Sequence, residues 1–115
     1  MGVNKKLTLE WKGEKYSKRY TMGLIDDLEE SINLMQMMNR CMTGDIRYSH
    51  AAKLVSLVLN QMGAETTQEE IFFGMFEDSD DDVQPLEVVA LVSEILDACF
   101  YKSKKNITVR LPAKS

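Results

Sequence analysis

Between residues 6 and 21 apolar and polar positions alternate with a period of two. Leu7, Leu9 and Trp11 stand between Lys6, Thr8 and Glu10; after Lys12-Gly13-Glu14 the alternation resumes, with Tyr16, Lys18 and Tyr20 set against Ser17, Arg19 and Thr21. Successive side chains of an extended chain point to opposite faces, so this stretch predicts a β-hairpin with one apolar, aromatic face. A lone two-stranded ribbon is marginally stable. The apolar face is therefore expected to lie on the rest of the chain.

From Met22 the apolar spacing lengthens. Ile25, Leu28, Ile32, Met35 and Met42 form a helical stripe, with Asn39 where the next apolar residue would fall, and predict one long helix over 22–43. Asp26, Asp27, Glu29 and Glu30 fall in its first turns and Arg40 in its last, as the helix dipole favours, and Gly44 is placed to end it. Ser49 is read as the cap of a second helix, 49–62, with Ala51, Leu54, Val55, Val58 and Met62 on one face and a stop at Gly63. Thr67-Gln68-Glu69-Glu70 is a capping box that opens a short third helix, 68–77, bearing Ile71, Phe72, Phe73, Met75 and Phe76.

Pro85 suits the first turn of a fourth helix, 85–102, that is apolar nearly all round, with a narrow polar strip of Glu87, Glu94, Asp97 and Tyr101. Such a helix sits in the middle of a bundle or faces a partner as well as its own core. Beyond Lys102, Lys104 and Lys105, the run Ile107 to Leu111 alternates like a strand, which either joins the hairpin or stays with Pro112 as a free tail. The expected fold is α+β and mainly helical: an N-terminal β-hairpin packed beside about four helices as one domain over 1–105, then a basic tail over 106–115.

A chain of 115 residues, 44% of them hydrophobic and 28% charged, can bury a single core without staples. Its net charge of −4 hides a division: six basic and two acidic residues in 1–21, three and sixteen in 22–97, five and none in 98–115. An acidic body with basic ends argues against general nucleic-acid binding, which wants a basic face. The opposite charges instead predict association between copies, a homo-oligomer. With no secretory leader and no apolar run of bilayer length, a cytoplasmic protein without a membrane span is expected.

Catalytic chemistry finds little to work with. His50 has no cysteine or serine motif beside it, and no GxGxxG, P-loop or HExxH occurs. The acids at Asp78, Asp80 and Asp82 begin like a calcium loop, but Val83 stands where the turn needs glycine and Val89 where the bidentate glutamate belongs. Cys41 and Cys99 are too far apart for a zinc spacing and read as buried apolar residues. The expectation is a non-enzymatic protein with no catalytic residue, cofactor or metal.

Five of the eight methionines, Met22, Met35, Met37, Met38 and Met42, lie on the predicted first helix. Flexible, polarizable methionines adapt to different apolar partners. Met35 and Met42 continue the core stripe, whereas Met37 and Met38 lie off it with Leu34 and Cys41. This second apolar face is the candidate partner groove, bordered by Phe72, Phe73 and Phe76.

The hairpin with Trp11, Gly13 and Tyr16, running through Arg19-Tyr20-Thr21-Met22-Gly23 into Leu28-Glu29-Glu30, resembles the opening of the tail assembly chaperones of long-tailed bacteriophages and gene transfer agents. So does the leucine-rich stretch Leu57 to Gly63, restarted by Thr66-Thr67-Gln68-Glu69-Glu70-Ile71; the likeness covers about residues 7 to 76. The resemblance implies a protein made in the infected host's cytoplasm and absent from the mature virion. It would bind the hydrophobic tape measure protein, keep it soluble and help recruit the tail tube protein during virion morphogenesis. The alternatives are a phage head-tail connector or tail completion protein, which stays in the particle, and a small dimeric adaptor or regulator.

Overall fold

The computed structural model describes residues 6–19, 22–80, 82–100 and 106–113, and for 22–24, 99 and 100 the backbone alone. The expectations for Tyr20, Thr21, Tyr101, Lys102, Lys104, Lys105 and the Cys99 side chain lie outside the described residues. The hairpin forms as expected: β1 (Lys6–Trp11) pairs antiparallel with β2 (Glu14–Arg19), with Leu9 opposite Tyr16 and Leu7 opposite Lys18. Its two-residue turn carries Lys12 at φ 51° and Gly13 at φ 81°. Positive φ at both positions matches the twist of the flanking strands, and glycine adopts it without steric cost.

Of the two outcomes open to residues 107–111, the strand is the one realised. β3 (Ile107–Arg110) runs parallel to β1, giving the order β2-β1-β3, and the Leu111 N–H donates to Glu10 O at 2.9 Å just past the ladder. Val109 and Leu111 are buried with Leu7, Leu9 and Trp11 in one apolar cluster. Residues 107–111 thus belong to the sheet and its core rather than to a free tail. Parallel strands need a long crossover, and here it consists of β2 and all the helices.

The predicted helix over 22–43 is two helices, α1 (Met22–Ser31) and α2 (Leu34–Thr43). The break is chemical. Asn33 is extended, at φ −83° and ψ 100°, and its Oδ1 accepts the Gln36 N–H at 2.9 Å, so it caps a new helix instead of continuing the old one. Two consequences follow. Glu29 and Glu30 fall in the last turn of α1, where the dipole disfavours them, instead of near the start of a long helix. The break also frees α2 to choose its own phase, and it buries Leu34 and Met37 while Met35 and Met42 face outward. Met35 and Met42 are therefore not core residues, contrary to the expectation from the stripe. As expected, Gly44 at φ 74° ends α2, and Arg40 in the last turn pairs with Asp45 at 3.1 Å.

Helix α3 (Tyr48–Gln61) is the centre of the molecule, with Ala51, Ala52, Leu54, Val55, Val58 and Leu59 fully buried. Its cap is Arg47 rather than Ser49, which lies inside the first turn; His50 Nδ1 accepts the Arg47 N–H at 3.4 Å. Lys18 Nζ donates to Gln61 O at 3.1 Å, placing a cation of β2 at the negative end of α3.

Thr67 Oγ1 accepts the Glu70 N–H at 3.2 Å and caps α4 (Gln68–Phe72) as expected, but the chain then widens into a π-helix over Phe73–Glu77 instead of continuing as α-helix to 77. Here the hairpin meets the helices: a Cβ on Gly74 would stand 2.5 Å from Trp11 Cη2. Only glycine lets the indole approach so closely. Helix α5 (Pro85–Phe100) packs on α2, α3 and β3 and buries Val88, Val92, Ile95, Leu96 and Ala98. Its outer side, with Leu86, Glu87, Ala90, Glu94 and Asp97, is exposed, so the middle position that its composition suggested falls to α3 instead.

Candidate interaction surface

The seven residues expected to form one partner groove do not lie on one surface. Leu34 is completely buried and Met37 is 4% exposed, so both are core residues, correcting their assignment to a docking face. Met38 and Cys41 are half-buried against the same core, on the helix that packs on α5. The spacing of 34, 37, 38 and 41 is that of a core-facing helix. Burial pushes the Cys41 thiol above its usual range; a hydrogen bond with Ser93 opposes this, and the Asp97 charge adds to it. Such a thiol is a poor nucleophile at neutral pH.

The phenylalanines form a second group. Phe76 makes edge-to-face contacts with Tyr48 at 4.8 Å and with Phe72 at 5.6 Å between ring centroids, fastening α4 and the π-helix to α3. Tyr48 Oη donates to Val83 O at 2.9 Å, tying the same corner to the loop before α5. Phe72 and Phe76 are half-buried, while Phe73 is 53% exposed. Phe73 is thus the one ring of the three that presents a large apolar area to solvent.

The apolar surface that remains was partly invisible in the sequence. Met35 is 56% and Met42 80% exposed. Seven residues apart on α2, they share its outer face with exposed Asn39 between them. Near Phe73, an open recess of about 370 Å³ is lined by Phe72, Phe73, Gln68, Glu69 and Glu77. A larger one, about 1110 Å³, lies between the end of the sheet, with Glu10, Lys12 and Arg110, and the loop carrying Asp78, Asp80 and Asp82.

That larger recess follows from the topology. Because β3 pairs with β1, Arg110 joins the basic residues of the hairpin, Lys6, Lys15, Lys18 and Arg19 on the strands and Lys12 in the turn, in one sheet. The acidic residues lie mostly on the helices and their loops. Charge is therefore divided by layer, and along the sequence this division showed only as basic ends around an acidic middle.

Burial lowers the affinity of His50 for a proton, the Arg40 and Arg47 charges lower it further, and Asp45 acts in the opposite sense. Among the described residues no three His, Cys, Asp or Glu side chains gather closely enough to hold a metal ion, and no helix is long and apolar enough to cross a membrane. No protein-family model, curated protein or solved structure matches the chain.

Proposed function

We propose that this protein is a tail assembly chaperone of a long-tailed bacteriophage or gene transfer agent, a non-enzymatic adaptor that holds the hydrophobic tape measure protein in solution and helps recruit tail tube subunits. It works in the host cytoplasm and leaves before the virion is complete. The observation that carries the reading is the exposure of Met35 and Met42 on one face of α2. Adaptable apolar side chains held out to water on a well-packed helix are what a binder of many similar apolar segments needs. The resemblance of the hairpin-to-helix opening and of the Leu57 to Ile71 stretch gives that binder its class. The acidic helices keep a coated partner soluble, and the basic sheet of one copy attracts the acidic helices of the next, which supports a homo-oligomer.

Co-expression with the tape measure protein encoded beside it tests the reading. The tape measure protein should be soluble and co-purify with the wild-type chain, and should pellet with the Met35→Ser, Met42→Ser double variant, whose circular dichroism should match the wild type because both side chains are exposed. A tape measure protein that pellets with both would sink the proposal. Finding the chain in purified particles would favour the connector or completion protein instead.

A further inference from the structure

We infer that the recess around Phe73 is a docking point for one side of an amphipathic helix, and that it selects an apolar anchor residue flanked by lysine or arginine one turn before and one turn after. The inference rests on the chaperone reading for the identity of the partner, but not for the chemistry of the site. Phe72 and Phe73 supply apolar surface, and Gln68, Glu69 and Glu77 complete the lining. Phe73 is 53% exposed although the chain around it is well packed, with Ile71, Gly74 and Met75 all buried. The recess, about 370 Å³, is shallow and open to solvent, so an anchor would lie against Phe73 rather than be enclosed.

The rim identifies the occupant. Glu69 and Glu77 lie four residues before and four after Phe73, and both are exposed. Neither has a cation within ion-pair distance among the described residues. An apolar recess bracketed by two carboxylates that have no ion-pair partner among the described residues disfavours an acidic segment and favours a basic one. On a partner helix the residues one turn either side of an anchor share its face, so two cations there can reach the two carboxylates while the anchor lies against Phe73. A second copy of this chain is a weaker candidate: the cations of its sheet lie on strands and a turn, which do not present that spacing.

The site can be tested with a short synthetic helical peptide carrying leucine anchors flanked by lysine, against a control with glutamate in place of lysine. Fluorescence anisotropy of labelled peptide reads the binding. The single tryptophan, Trp11, packs against Gly74 next to Phe73, so its emission gives a second readout. The wild type should bind the lysine peptide about tenfold more tightly than the glutamate peptide, the scale of two charge pairs at the edge of an apolar contact. The Glu69→Gln, Glu77→Gln double variant should lose that preference, and Phe73→Ser should weaken the lysine peptide by a similar factor with an unchanged melting temperature. Equal binding of the two peptides by the wild type, or a preference that survives in the glutamine variant, would overturn the inference. So would a change of oligomeric state with Phe73→Ser, because the recess would then be filled by another copy. Neither peptide involves Met35, Met42 or the tape measure protein, so failure here is distinct from failure of the co-expression assay.

Discussion

Helices α2 and α3 are neighbours in sequence and both pack on α5, yet the pattern of one gives its buried face directly and the pattern of the other points to the wrong face. In α3 the apolar positions form one stripe, with Lys53 and Asn60 exposed on the opposite side, so the burial of Ala51, Leu54, Val55 and Val58 follows from the spacing. In α2 two stripes compete: Met35 with Met42, and Leu34 with Met37, Met38 and Cys41. Neutral Gln36 and Asn39 exclude neither. A methionine-rich helix carries apolar residues around much of its circumference, and its phase is then decided by what lies before it, in this case the break at Asn33.

The largest expected effect contrasts the two faces of α2. Met37→Glu places a carboxylate where the side chain is 4% exposed and should cost about 4 kcal/mol or more, enough to abolish cooperative unfolding in a small domain. Met42→Glu, on the face that is 80% exposed, should change stability by less than about 0.5 kcal/mol. Urea denaturation followed by circular dichroism separates the two. Equal effects would mean that α2 is rotated from the phase described, and would remove the basis for a methionine surface. The matching change in α3, Leu54→Ala, removes a fully buried side chain and should cost about 2 to 5 kcal/mol. A loss below that range would place the centre of the core elsewhere.

What was legible follows the same division. The hairpin could be read because period-two alternation and a Lys-Gly turn have few other uses, and α3, α4 and α5 because their stripes, the Thr67 box and Pro85 are local signals. The pairing of β3 with β1 joins residues 100 apart in sequence, and nothing local specifies it, although the alternation of Ile107 to Leu111 marked the strand. The π-helix at Phe73–Glu77 had no local mark either; the approach of Trp11 to Gly74 is a tertiary event. For the candidate surface, the spacing put Leu34 and Met37 on a docking face and Met35 and Met42 in the core, and burial reverses both assignments. The overlooked signal is Asn33. As an N-cap with Gln36 three residues on, it divides 22–43 and releases α2 from the stripe of α1, so that the face of 34, 37, 38 and 41 can turn to the core.

The caps extend the comparison at smaller cost. Asn33→Ala removes the oxygen that accepts the Gln36 N–H at 2.9 Å and should destabilise the protein by about 1 kcal/mol. Asn33→Asp keeps an acceptor at the positive end of α2 and should stay within a few tenths of wild type. If Asn33→Ala were as stable as wild type, the break between α1 and α2 would be set by packing alone, and the two helices would be nearer to the single one that the spacing first suggests.

The cap of α3 differs in kind, because its acceptor titrates, and it gives the smallest effect. His50 Nδ1 can accept the Arg47 N–H only while it holds a lone pair, and burial with the Arg40 and Arg47 charges already lowers the pKa of the ring from its ordinary value of 6.5, favouring the neutral form. A histidine whose folded pKa lies below its unfolded one binds fewer protons when folded. Its contribution is therefore complete above the unfolded value and is lost as pH falls through 6.5 and then through the lower folded value. The wild type should lose stability on acidification relative to His50→Gln, which keeps an acceptor but does not titrate. The difference should be small, because the ring is only half-buried and Asp45 partly offsets the arginines. Melting temperatures measured across that pH range for the two proteins check it. Parallel curves would mean that the start of α3 does not depend on the imidazole, leaving the bond from Tyr48 to Val83 O to hold that end in place.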